Sequence, residues 1–331
     1  MKPIPWRRPG WRPQIEAWIG KQLSRLGRRQ VGEISQPYER PWSTVLRVPT
    51  DAGDLFCKAT SSAQRQEVAL TALLVRVRPA MLLPLLAHEP RQGWMLLPDG
   101  GRTLRELDDG RVLAVAEAVL PEYADVQRAV ATRAEEILAL GVPDRRPATL
   151  ADAYAALLDD ADVLRTGQAG GLTSDEHGRL AALAPWVASS AAAVADGPIP
   201  PTVEHSDLHD ANVFVSDAGH RTSGHRIYDW GDTSIAHPFG SLLVFEAVLG
   251  DRLGLAPDSR ELRRVRTAYL ETWSDLASAS ELAHVATAVL AIQPIVQALV
   301  WQRLVSWLGG DEFEARHRDY AAASLRDLLT R

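Results

Sequence analysis

Two carboxylates and one amide are the side chains of this chain whose types and spacing best suit chemistry. In EHSDLHDANVFV, His205, Asp207 and Asn212 follow the order H-x-D-x-x-x-x-N, and seventeen residues beyond Asn212 a second aspartate, Asp229, stands in RIYDWGD. The carboxylate of Asp207 can take the proton of an attacking hydroxyl. The amide oxygen of Asn212 and the carboxylate of Asp229 can hold one Mg²⁺ from two sides, because hard cations take oxygen ligands. These are the parts needed for phosphoryl transfer from a nucleotide, a reaction governed by positioning and charge neutralisation. His205 reads as a residue that fixes the loop by hydrogen bonding rather than as a proton carrier. His209 reads equally as a loop-packing histidine.

Nucleotide phosphates also need a cation. The chain has 33 arginines but only three lysines, Lys2, Lys21 and Lys58, and the last falls inside the short apolar run LFCKAT. A compact ammonium on a flexible stem, fixed on a strand, suits contact with α and β phosphates. Glu67, the one acidic residue between Asp54 and Glu89, is the expected partner that holds it.

The elements that must position these residues fall into two regions. Residues 13–26 carry Ile15, Trp18, Ile19, Leu23 and Leu26 at helical spacing. Runs at 31–36, 43–49 and 54–60 read as a three-stranded antiparallel meander, with a hairpin signal at Asp51-Ala52-Gly53. Residues 62–77 read as a helix ending at Arg78-Pro79, and Leu85–His88 and Trp94–Leu97 as two further strands. Pro98-Asp99-Gly100-Gly101 breaks the pattern. We expect a nucleotide-binding lobe with an N-terminal helix over 1–98 and a catalytic and substrate-binding lobe over 99–331. The second region reads as mostly helical, near 111–140, 150–160, 174–194, 239–250, 258–277, 280–308 and 311–329. Strand returns only at Val213–Val215 and Arg226–Tyr228, flanking a turn at Asp217-Ala218-Gly219, and that hairpin carries the metal ligands.

Composition bounds the rest. With 331 residues, 46% of them hydrophobic, the chain can bury two cores. A single cysteine, Cys57, excludes an internal disulfide and fits a reducing cytoplasm. No apolar run reads as approaching the roughly 20 residues that span a bilayer, so no membrane partner is expected. The histidines show no zinc spacing, and the basic N-terminus is too short to argue for nucleic acid. Residues 1–98 hold 15 Lys and Arg against 7 Asp and Glu, whereas 99–331 hold 21 against 35. A basic half suits a polyphosphate and an acidic half a cationic substrate, although both also fit a merely solvated surface.

On HSDLHDANVFV and IYDWGDTSIAHP, with Lys58 and Glu67 ahead of them, the chain resembles the aminoglycoside phosphotransferase family over nearly its whole length. The resemblance implies an α+β, bilobal protein-kinase-like fold with a small antiparallel-sheet lobe and a larger, mainly helical lobe. It implies Asp207 as catalytic base, Asn212 and Asp229 as Mg²⁺ ligands, Lys58 on the phosphates of ATP (GTP being the alternative), Glu67 as its partner, and a hinge at Trp94–Asp99, including Leu97, that holds the base. The implied activity is transfer of the γ-phosphate to a small-molecule hydroxyl, on an aminoglycoside or related cationic antibiotic. The alternatives are an amino sugar, choline or homoserine-type metabolite, or a nucleotide-binding pseudokinase scaffold, in either a monomer or a homodimer. Glu246, Trp273 and Asp275 are candidate acceptor contacts. The chain departs from the family in three places. The loop Gln36–Ser43 has no glycine, leaving Ser43 and a few backbone amides for the phosphates. Ser206 stands where glycine is usual. Pro238-Phe239-Gly240-Ser241-Leu242 places a hydroxyl where a loop-bracing carboxylate is usual.

Overall fold

The computed structural model describes residues 4–215, 224–308 and 315–330. After helix α1 (Trp11–Arg25) come strands β1 (Ser35–Glu39), β2 (Ser43–Val48) and β3 (Leu55–Thr60), helix α2 (Gln66–Val77), then β4 (Ala87–Glu89) and β5 (Trp94–Pro98). The strands form one antiparallel sheet in the order β1-β2-β3-β5-β4. Strand side chains alternate between faces. Leu46, Val48, Leu55, Cys57 and Leu96 therefore pack under Ile15, Ile19 and Leu23 of α1. Their sequence neighbours Val45, Phe56, Lys58 and Leu97 line a cavity on the opposite face.

The first strand lies later than its apolar run suggests. Val31 is 58% exposed and the pairing segment is the polar SQPYE, with a register irregularity between Ser35 and Tyr38. An edge strand has one neighbour and tolerates Pro37 and polar residues, so hydrophobic patterning misplaces it.

Beyond Pro98 the chain is largely helical: α3 (Asp109–Val130), α4 (Ala134–Ala139), α5 (Pro147–Leu158), α6 (Ala161–Leu164), α7 (Ser174–Ala182) and α8 (Ala184–Ala195). Two short ribbons follow. Strands β6 (Thr202–Glu204) and β9 (Ser234–Ala236) pair with each other on either side of the segment that holds Asp207, Asn212 and Asp229, and β7 (Val213–Phe214) pairs with β8 (Arg226–Ile227). The β6–β9 ribbon has no counterpart in the sequence reading. Its members are only three residues long, too short to show a period. The turn expected at Asp217-Ala218-Gly219 lies outside the described residues. Helices α9 (Leu242–Leu253), α10 (Arg260–Glu271), α11 (Ala279–Leu308), α12 (Ala315–Arg318) and α13 (Tyr320–Arg326) complete the lobe, and residues 311–314 of the expected last helix also lie outside the description.

α11 corrects the hydropathy reading: it is long and apolar enough to cross a membrane, with a window of mean hydropathy 1.7. Of that window 56% is buried inside the protein, where Ile292, Ile295, Leu299 and Leu304 join the larger core. A helix packed on several sides must be apolar on several sides.

An aromatic contact joins the two regions. Trp42, between β1 and β2, sets its ring edge-on to Trp301 of α11 at 5.8 Å and to His317 at 5.2 Å, and Trp301 meets Tyr320 at 4.7 Å.

Candidate active site

A cavity of about 510 Å³ lies between the sheet and the helical region. Val45, Phe56, Leu83, Leu97, Phe214 and Tyr228 form its apolar part, where the strands meet the β7–β8 ribbon. At the crossover Gly100 lies against the Phe214 ring so closely that a Cβ would stand 2.5 Å from it, so glycine is needed there for close approach.

Lys58 reaches into the cavity from β3. Its ammonium lies 2.6 Å from Glu67 Oε1 on α2 and 2.5 Å from Asp229 Oδ1, and only 4% of the residue is exposed. Burial opposes the charge on Lys58, but Asp229 and Glu67 outweigh it and hold the ammonium above its ordinary pKa. One cation is shared by two acids. Burial opposes ionisation of Asp229 as well, yet Lys58 wins there and its pKa falls; for Glu67 burial, aided by Asp229, wins and its pKa rises.

The loop after β6 carries the second group. Asp207 lines the cavity with its side chain 43% exposed, and its contacts are long: 3.5 Å to His209 Nε2 and 3.4 Å to Asn212 Nδ2. Asn212 also donates Nδ2–H to the Asp207 carbonyl at 2.8 Å. Among the described residues nothing donates to its Oδ1, which leaves that oxygen for a cation. His205 is fully buried, and its Nε2–H donates to the Tyr228 carbonyl at 3.0 Å while its ring meets Trp230 at 4.9 Å. Burial lowers its pKa, with the hydrogen bond to Tyr228 working the other way, which suits a structural role. Asp232, half-buried near Asp207 and Asp229, is pushed up to about 7 by desolvation and those two charges, and accepts from Gln64 Nε2 at 2.7 Å.

Backbone strain gathers at this centre. Among the described residues three that are not glycine have positive φ, and two of them are Ser206 (62°) and Asp229 (66°). The left-handed region costs a residue with a Cβ roughly 1–2 kcal/mol. At Ser206 the cost is met by bonds: its N–H donates to Glu204 Oε1 at 2.8 Å, its hydroxyl to Glu204 Oε2 at 2.5 Å, and its carbonyl accepts from Gln297 at 2.8 Å. Ser206→Ala keeps the strain and loses the hydroxyl bond, whereas Ser206→Gly loses the bond and relieves the strain. The alanine variant is expected to be the less stable by about 1 kcal/mol in urea unfolding.

The glycine-free β1–β2 loop is held closed by its own backbone, with the Arg40 N–H donating to the Ser43 carbonyl at 2.8 Å. Ser43 and Tyr38 both line the cavity, and the Arg40 guanidinium sits 5.0 Å from the Tyr38 ring centre.

Mg²⁺ fits the donor set. Among the described residues no three His, Cys, Asp or Glu side chains are grouped to hold a metal alone. An amide oxygen and one or two carboxylates opening on a cavity are what Mg²⁺ uses when phosphates complete its shell.

Three expected acceptor contacts lie elsewhere. Trp273 is 1% exposed and packs on Phe239 and Tyr269. Glu246 is closed by a two-pronged ion pair with Arg266, and Asp275 is paired with Arg128 at 2.7 Å. None of the three lines the cavity. Sequence reasoning also missed residues that do belong to the surroundings: Tyr38, Phe214 and Tyr228 in the wall, Arg105 paired with Asp210 at 2.8 Å, and Glu204 beneath the loop. Only Glu204 left a signal, as a charge inside the apolar run before His205.

No protein-family model matches the chain, and no curated protein sequence does. Solved structures match it in shape. A choline kinase from Streptococcus pneumoniae aligns with TM-score 0.58 at 14% identity, covering 96% of this chain and 100% of that one. A macrolide 2'-phosphotransferase type I aligns with TM-score 0.56 at 14% identity, covering 94% and 96%. The GDP complex of wild-type aminoglycoside 2'-phosphotransferase-IIIa aligns with TM-score 0.56 at 13% identity, covering 95% and 97%. At such identities the likeness establishes architecture, and the chain has the bilobal α+β, protein-kinase-like fold of these phosphotransferase and kinase structures.

Proposed function

We propose that this chain transfers the terminal phosphoryl group of a nucleoside triphosphate to a hydroxyl of a small molecule, in an enzyme whose lobes divide between Pro98 and Asp99. The observation that carries the reading is convergence: Lys58, the pair Asp207 and Asn212, and Asp229, from three separate stretches of chain, open on one cavity that also has an apolar part formed by Val45, Phe56, Leu83, Leu97, Phe214 and Tyr228. Asp207 orients the acceptor hydroxyl and takes its proton as the oxygen attacks the γ-phosphorus. The bond from that phosphorus to the bridging oxygen breaks, and its electrons leave with the nucleoside diphosphate. Lys58 holds the phosphates, Glu67 holds Lys58, and His205 fixes the loop. Mg²⁺, held by Asn212 and Asp229, supplies charge neutralisation on the phosphates.

ATP is the expected donor and GTP the alternative, the latter supported by the GDP in the structure of the aminoglycoside phosphotransferase. For the acceptor, the acidic composition of residues 99–331 and the amine-bearing substrates named for similar folds support a cationic alcohol, either an aminoglycoside or a choline-type metabolite. Diphosphate formation from ATP and from GTP, with Mg²⁺ and a panel of aminoglycosides, macrolides, amino sugars and amino alcohols, tests the reading. The expected result is acceptor-stimulated turnover that stops when Mg²⁺ is chelated. Nucleotide binding with no stimulation by any acceptor would sink it.

A further inference from the structure

We propose that Glu204 is the positioning residue of the catalytic loop: its buried carboxylate locks Ser206 into the turn that aims Asp207. The inference rests on the phosphotransfer reading for what Asp207 does, and on geometry for what Glu204 does. Asp207 is aimed by little of its own, since its side-chain contacts are no shorter than 3.4 Å. Its direction must come from the backbone of the residue before it. That residue is held at every polar group, with the N–H and hydroxyl of Ser206 on the two oxygens of Glu204 and its carbonyl on Gln297.

Glu204 is the last residue of β6 and is fully buried, and β6 is paired along its length with β9, so the carboxylate is carried on a rigid support. The same oxygen that takes the Ser206 N–H also takes the Ser241 hydroxyl at 2.9 Å, and Ser241 and Tyr123 both reach the His205 N–H, at 3.3 and 3.1 Å. Tyr123 and Ser241 touch each other at 2.7 Å, so α3, β6 and the start of α9 meet in one network beneath the loop. A buried carboxylate is costly unless its lone pairs are filled, and here three donors fill them. Residues 205 and 206 gain the bonds, and residue 207 gains the direction.

The geometry also says where the carboxylate could be supplied instead. Ser241 reaches the same carboxylate oxygen and the His205 N–H, so an aspartate at 241 with alanine at 204 moves the charge without changing its number. Glu204→Ala is expected to lower kcat by about 30-fold or more while the KM for nucleotide changes less than about threefold, because a misaimed base costs rate rather than nucleotide contacts. Ser241→Asp alone crowds two buried carboxylates and is expected to lower kcat and Tm. The double variant is expected to exceed both single variants in kcat and in Tm. Equal kcat in wild type and Glu204→Ala, or a folded double variant no faster than Glu204→Ala, would overturn the proposal. Should Glu204→Ala not fold, Glu204→Gln keeps the shape, replaces one acceptor by a donor, and is expected to fold with reduced kcat. Unchanged kcat there overturns the proposal equally. Amide hydrogen exchange of Ser206 and Asp207 separates the two readings. If the wild type shows no turnover, the phosphotransfer reading falls. The positioning role then stands if protection is lost in Glu204→Ala and regained in the double variant, and falls if protection is unchanged.

Discussion

Asparagine in place of Asp207 is expected to leave a folded, nucleotide-binding protein with about 10²- to 10⁴-fold less turnover. The substitution keeps the shape and both heavy atoms but removes the acceptor for the hydroxyl proton. Little stability rests on this side chain, which is 43% exposed and has no contact shorter than 3.4 Å, so unfolding free energy is expected to move by no more than about 0.5 kcal/mol. Nucleotide affinity, measured by calorimetry with Mg²⁺, is expected to hold, because Lys58 and the apolar wall are untouched. A variant that retains turnover would remove Asp207 from the chemistry.

Methionine in place of Lys58 is expected to damage both function and fold. The ammonium is shared between two carboxylates at 2.6 and 2.5 Å with 4% of the residue exposed. Removing the cation strands Glu67, which is fully buried, and leaves Asp229 at the cavity wall without its partner; deleting one partner of a buried ion pair costs about 3–5 kcal/mol. Against the 5–15 kcal/mol that stabilises a typical domain, that is a large fraction. Turnover is expected to fall with it, through the lost phosphate contact. Lys58→Arg separates the two effects. It restores charge and part of the stability in urea unfolding, but its planar fork does not reproduce the contact of a compact ammonium, so turnover stays low. An arginine variant with wild-type turnover would contradict the role given to Lys58.

The parts of the site that were legible in the sequence are those whose chemistry demands a particular residue type. Asp207, Asn212 and Asp229 stand at a spacing that a loop and a hairpin impose, and Lys58 stood out because every basic residue after it is an arginine. The small sheet was legible for a simpler reason: β2 and β3 are short runs rich in Val, Leu and Phe on either side of the turn signal Asp51-Ala52-Gly53. What escaped has no local signature. β1 is a polar edge strand, and β6 and β9 are three-residue strands defined by each other. Glu246, Trp273 and Asp275 looked available because a helical sequence does not say which neighbour will close on it, and Arg266, Phe239 and Arg128 did. Glu204 gained its meaning only when the fold brought Ser206 and Ser241 to it.

Trp42 bears on timing. Strand β3 runs from Leu55, paired with Pro98 at the crossover, to Thr60, paired with Ser43 beside Trp42. At about 3.3 Å per residue its ends lie roughly 17 Å apart. The two walls of the cavity are thus tied covalently at one end and by the edge-on contacts of Trp42 with Trp301 and His317 at the other, with the Lys58–Asp229 and Gln64–Asp232 contacts between them. A jaw hinged at one end swings freely, but a jaw latched at both must first unlatch. On the phosphotransfer reading, parting the walls for nucleotide exchange also parts that aromatic contact, so Trp42 bears on release of the diphosphate without lining the cavity.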